Sequence, residues 1–153
     1  MLKDNDSRKR WQYNQWAFEL GFAIAQIEPE QVGIKLLFHE LARVRQGAWL
    51  AIGKVGQVEI VKKLIEKHRN SKPYQAHFRH AAYRAIDESL ITIEVKGGEK
   101  ELKGLKELCP TVTDKEIVCP TVKHASIKDR LHWTILSLEQ RVDEDMNKVQ
   151  VLD

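Results

Sequence analysis

Apolar residues recur at three- and four-residue steps through most of this chain, and the places where that rhythm breaks divide it into helices. Trp11, Gln15 and Phe18, then Phe22 and Ala25, form a first run. It stops at Glu28-Pro29, because the residue before a proline is steered away from helical backbone. A second helix is predicted from about Glu30 to Arg43, with Ile34, Leu37, Phe38 and Leu41 on one stripe. A third covers Gln46 to Val55, its end bracketed by Gly53 and Gly56. A fourth, Val58 to Arg69, turns Ile60, Val61, Leu64 and Ile65 inward and Lys62, Lys63, Glu66 and Lys67 outward.

Asn70-Ser71-Lys72-Pro73 is a break. A fifth helix follows from Tyr74 or Gln75 to about Ile93, with a strand-like tail at Leu90 to Val95 that reads as a fraying end before Gly97-Gly98. A short sixth helix runs from Glu99 to Leu108, and the prolines and β-branched residues of Cys109 to Val122 read as a loop. Ile127, Leu131, Ile135, Leu138 and Val142 mark a last helix from about Ser126 to Val142. Four segments result: residues 1–10 as a flexible lead-in, 11–96 as helical repeats, 97–142 as a C-terminal hairpin and cap with the Cys-Pro loop, and 143–153 as a flexible tail. Sequential helices on short links permit either a bundle or a solenoid.

An internal repeat favours the solenoid. Arg45-Gln46-Gly47-Ala48-Trp49-Leu50-Ala51-Ile52-Gly53 overlays Arg79-His80-Ala81-Ala82-Tyr83-Arg84-Ala85-Ile86-Asp87 at an offset of 34 residues without a gap. A period of this size is the mark of stacked helical hairpins. A fainter copy, Ala17-Phe18-Glu19-Leu20-Gly21, lies 32 residues before Trp49-Leu50-Ala51-Ile52-Gly53. These strings resemble the HEAT-repeat family, in particular its bacterial and cyanobacterial branch of phycobilisome-lyase-like repeats. Arg45, Ala48, Ala51, Ile52 and Gly53 match that family's helix; Val58, Glu59, Val61, Leu64 and Ile65 match its partner helix; Arg79, Ala82, Ala85 and Ile86 match the next copy. The resemblance covers about Leu36 to Leu90 well and the region after Gly97 poorly. It implies an all-α fold, a short α-solenoid of antiparallel helical hairpins with an irregular C-terminal cap. In it the repeated Arg45 and Arg79 bond to inter-repeat backbone or acidic groups, and the repeated alanines let helices approach.

Composition narrows the partners. The chain has 153 residues, 42% hydrophobic and 31% charged, a globular profile. No apolar run approaches the roughly 18 residues of a membrane span. Ala17 to Ile27 is interrupted by Glu19 and Gln26 and lacks a signal-peptide cleavage site, so a cytoplasmic protein is expected. The net charge of +3 conceals a basic middle: ten Lys or Arg against two acids give +8 between Arg43 and Arg84, while residues 1–42 carry −1 and 85–153 carry −4. Such asymmetry speaks about partners and not about fold.

Candidate chemistry is sparse. No phosphate-binding glycine loop, dinucleotide fingerprint or nucleophile elbow occurs. Cys109 and Cys119 each open a Cys-Pro-Thr-Val string; small semi-buried thiols are favoured over a redox pair or half a metal site. His77 and His80, three apart, could share a zinc with His39, His68 or Cys109, yet no second ligand doublet exists. Cys109, Cys119, His124 and His132 match no compact metal signature. Neither a metal, a cofactor nor a catalytic residue is assigned. Of the four tryptophans, Trp49 and Trp133 are expected in the core, while Trp11 and Trp16 stay open between core and contact surface.

The expected function is a scaffold or adaptor binding another protein or domain, alone or within a larger regulatory protein. The expected contact residues are Lys62, Lys63, Lys67, Arg69, Arg84, His77, His80 and Tyr83, with Arg45, Ala48, Ala51, Gly53, Arg79, Ala82 and Ala85 as the structural repeat. Two alternatives remain open. The family resemblance implies a bilin lyase or lyase subunit holding a tetrapyrrole. The basic strip 43–84 suggests nucleic acid, a ligand that one DNA-repair glycosylase family of HEAT-like helices also takes.

Overall fold

A computed structural model describes residues 2–113, 117 and 126–152, and the described residues are helical with short connections. The helices are α1 (Leu2–Ile27), α2 (Ile34–Leu36), α3 (Ala42–Val55), α4 (Val58–Arg69), α5 (Ala76–Lys96), α6 (Glu99–Leu108) and α7 (Ile127–Leu152). Two boundaries correct the sequence reading. Residues 2–10 continue α1 instead of forming a flexible lead-in, and 143–152 continue α7 instead of forming a flexible tail. Both stretches lack Pro and Gly, so nothing in them stops a helix already nucleated by its packed half.

The expected single helix over Glu30–Arg43 is broken. Pro29 opens a π-helical turn, Pro29–Gly33, closed by Gly33 N–H donating to Glu28 O at 2.9 Å. After α2 the backbone turns at residues 37–41 because side chains satisfy its polar groups there. His39 Nδ1 accepts the Leu41 N–H at 3.1 Å, and Arg45 Nη1 donates to the carbonyls of His39 (2.8 Å) and Glu40 (2.9 Å). Ile34 and Leu37 are buried, whereas Phe38 and Leu41 fall outside the stripe.

The other ends follow local chemistry. Gly56 caps α3 in the left-handed region (φ 62°), where a glycine costs least, and Gly53 lies inside α3 and not at its end. α4 closes on Lys67, His68 and Arg69, cations that suit the carbonyl end of a helix. The β-branched tail of α5 is helical, with Ile93 buried, since packing overrides the weak strand preference. At the start of α6 the Glu101 carboxylate accepts the Gly98 N–H at 2.9 Å, and that bond holds Glu101 below the usual carboxylate range. A 3₁₀ turn, Cys109–Thr111, ends α6, and Ser126 Oγ caps α7 by accepting the Asp129 N–H at 3.1 Å.

Packing runs helix by helix: α1 against α3, α3 against α5, α5 against α7, with α4 on α5 and α6 and α6 on α7. The contacts also give direction. Along α3 and α5, Trp49 meets His80, Gly53 meets Glu88 and Gly56 meets Thr92, so the two helices run parallel. Along α5 and α7, Asp87 meets Arg130, and Arg141 donates to the carbonyls of Val95 and Gly97, again parallel. A core of Ala25, Ile34, Leu37, Ile52, Ile60, Leu64, Phe78, Ile86, Leu90, Leu105, Ile127 and Leu131 threads between them.

Small residues set the spacing. A Cβ on Gly21 would lie 2.5 Å from Val44 O, and one on Gly47 would lie 2.7 Å from Phe22 N, so α1 and α3 touch backbone to backbone. Gly53 receives the Glu88 Cβ of α5 against its backbone, while Ala48, Ala51, Ala82 and Ala85 are fully buried. α7 is held by a further device. Arg130 Nε donates to buried Asp87 Oδ1 at 2.6 Å, and Lys128 Nζ donates to Val112 O at 2.8 Å.

Gly47→Ala is expected to destabilise the protein by about 1–3 kcal/mol from overpacking, less about 0.5–1 kcal/mol of gained helix propensity. Gly104→Ala, whose Cβ meets a movable Val58 methyl at 3.0 Å, serves as the near-neutral control in urea titration. Arg130→Ala leaves the Asp87 carboxylate buried beside nothing that donates from α7. It should lower stability by about 1–3 kcal/mol, and the same denaturation measurement checks it.

Candidate interaction surface

Two groups of basic and aromatic side chains reach the surface, on different elements. On α4 the buried stripe Ile60, Val61, Leu64 and Ile65 forces Lys62, Lys63 and Lys67 outward. Lys63 pairs with Glu30 of the π turn. Between that turn, α2 and α4 lies a cleft of about 500 Å³ lined by Glu30, Gln31, Ile34, Lys35, Phe38, Lys63, Glu66, Lys67 and Asn70. Phe38 gives it an apolar wall and is fixed by stacking on Phe78, centroids 3.7 Å apart and planes 5° from parallel.

The second group sits where α3 and α5 run side by side. Trp49 is half-buried; His80 meets it edge-on at 5.7 Å, and the Arg84 guanidinium lies 5.8 Å from its ring centre. Arg84 also approaches Glu88 at 3.6 Å, an exposed pair that contributes little. Burial, then the positive charges of Arg84, Arg45 and His77, pulls His80 below its ordinary value of 6.5. The imidazole is therefore neutral near pH 7, and this patch is less cationic than its residue count suggests.

Basic side chains from residues 43–84 thus gather beside α2 and beside Trp49. Two expected contact residues have partners inside the fold, and one expected core residue lies outside it. Tyr83 is buried at 5% exposure, because it lies on the inner face of α5 with Ala82 and Ile86. Arg69 donates from Nη2 to Thr111 O at 3.1 Å and ties α4 to the turn after α6. Trp133, expected in the core, is 67% exposed, since Leu131, Thr134, Ile135 and Leu138 occupy the inner face of α7. His77 is exposed and near His80, as its electrostatic influence there requires.

Arg45 donates to carbonyls of the turn before its own helix and not to a neighbouring repeat. Arg79 differs: its Nε is buried without a hydrogen-bond partner. Among the described residues no group of three or more His, Cys, Asp or Glu is placed to hold a metal ion. Cys119 and His124 lie outside the described residues.

No family model, curated protein or solved structure matches this chain. The geometry of the two patches therefore carries the functional reading. Among the described residues, no helix is long and apolar enough to cross a membrane. Sequence reasoning missed Phe38 as a surface group and Glu30 as a charge partner; both depend on the π turn, for which Pro29 and Gly33 were the available signal.

A lowered His80 pKa means the unfolded chain binds its proton first as pH falls, so stability present above pH 6.5 is lost below it. The His80 imidazole should titrate by NMR with a midpoint below 6.5, and His80→Gln should lose less thermal stability than the parent between neutral and mildly acidic pH.

Proposed function

We propose that the chain is a short α-solenoid of HEAT-like hairpins that acts in the cytoplasm as a scaffold or adaptor for another protein, by itself or within a larger regulatory protein. The observation that carries this reading is the common direction of α3, α5 and α7. Hairpins laid side by side place like helices parallel, each unit hiding its apolar stripe on the next. A closed bundle with short links alternates direction between neighbours.

The partner contact is the cleft beside α4. Lys35, Lys63 and Lys67 outnumber Glu30 and Glu66 around it, and Phe38 supplies an apolar surface. That combination suits a protein segment with acidic residues flanking an apolar anchor. Phe38 as an apolar wall, with Lys63 already paired to Glu30 and Glu66 beside it, favours such a segment over a duplex, whose phosphates require free cations.

A photo-crosslinker at Asn70 should capture a protein partner from cells, and Lys35→Glu with Lys67→Glu should weaken the purified pair by about tenfold or more. Three results would count against the reading: no partner, a bilin absorbance shift, or duplex binding whose log–log salt slope is about −0.9 per phosphate.

A further inference from the structure

The first helix is apolar on two sides. Its inner side, with Phe18, Gly21, Phe22 and Ala25, packs on α3. Opposite lies a second stripe, Tyr13, Trp16, Leu20 and Ile27, at steps of three, four and seven residues and with 56%, 68%, 59% and 85% of each residue exposed. A helix apolar on opposite faces belongs between two layers, and α1 has one. The exposed parts of these four side chains amount to on the order of 500 Å², a large share of the ~800 Å² one partner gives to a standard interface.

Charge selects the occupant. Arg8, Lys9 and Arg10 are exposed in the first half of α1; its last turn holds no basic residue, and the exposed Glu28 follows directly. Lys9, four residues before Tyr13, lies on the line of the stripe, and Glu28 borders its last member, Ile27. Two copies of α1 laid antiparallel bring each stripe against its own counterpart. With Trp16 of one copy across from Leu20 of the other, Lys9 of each copy then meets the Ile27–Glu28 end of its counterpart, twice by symmetry. The same arrangement sets the basic half of one helix beside the carbonyl end of the other, which lacks a cation of its own. Trp16 packs across the two-fold axis near Leu20.

We infer that the outer face of α1 is a self-association surface, on which two copies of this chain pair antiparallel. The occupant is isologous, as a closed dimer demands. This surface lies on α1, away from the α4 cleft, and does not depend on what the cleft binds.

The test is molar mass by light scattering and sedimentation over a concentration series reaching the sub-millimolar range. The parent chain should shift from monomer to dimer. Leu20→Glu should raise the dissociation constant by about 30-fold or more while leaving helicity and melting unchanged, because Leu20 lies outside the core. Lys9→Glu and Glu28→Arg should each weaken the dimer, and the double variant should restore it. Leu20→Cys should form an oxidised dimer across the axis where Trp133→Cys does not, with the parent as control for the native cysteines. A parent that stays monomeric, a dimer indifferent to Leu20→Glu, or cross-linking at Trp133 in place of Leu20 would overturn the inference.

Discussion

Close approach of neighbouring helices at glycine is the constraint from which the rest of this structure follows. Where Gly21 meets Val44 and Gly47 meets Phe18 and Phe22, backbone lies on backbone, and Gly53 takes only the Cβ of Glu88 against it. Close approach at these points lets short apolar side chains such as Ala48, Ala51, Ala82 and Ala85 fill the seam to full burial. It also forces larger residues to the rims. Trp49 lies half-buried at the α3–α5 seam for that reason, with His80 and Arg84 gathered around its ring.

Once the seams are fixed, the charged groups fall where the helices have room for them. Lys62, Lys63 and Lys67 project from α4 because its other face is filled by Ile60, Val61, Leu64 and Ile65. The cleft beside them exists because Pro29 starts a π turn in place of a regular helix, and that turn puts Glu30 against Lys63. The far end is secured differently. α7 shares no glycine contact with α5 comparable to those of α3, and is held by Arg130 on Asp87 and by Arg141 on the carbonyls of Val95 and Gly97. Polar clamps thus replace close packing where the 34-residue repeat fades.

Much of this was legible in the chain itself. The boundaries of α4 and α6 follow from apolar stripes that end at clear breaks, and the buried repeat positions Ala48, Ala51, Ala82 and Ala85 follow from the overlay of Arg45–Gly53 on Arg79–Asp87. Periodicity failed where tertiary bonding decides the backbone. The turn at residues 37–41 depends on Arg45 reaching two carbonyls, and no local signal in Phe38-His39-Glu40-Leu41 announces it. The helical ends at 2–10 and 143–152 were hidden by their polar composition, which resembles a tail although it contains no helix breaker. Surface roles were harder still. Tyr83 and Trp133 exchanged places because a residue's face depends on the phase of its helix by a single position.

The central claim is that the odd-numbered helices form a row, each next to the one before it, and do not close around a shared core. Pulsed electron resonance between spin labels at Gln26 of α1 and His132 of α7 tests it most directly, in a background with both cysteines replaced by serine and diluted with unlabelled chain. At 8–10 Å per neighbouring helix axis, the row predicts a separation of roughly 25–30 Å between the two backbones. A dominant distance under about 15 Å, as adjacent helices of a closed bundle give, would contradict the account.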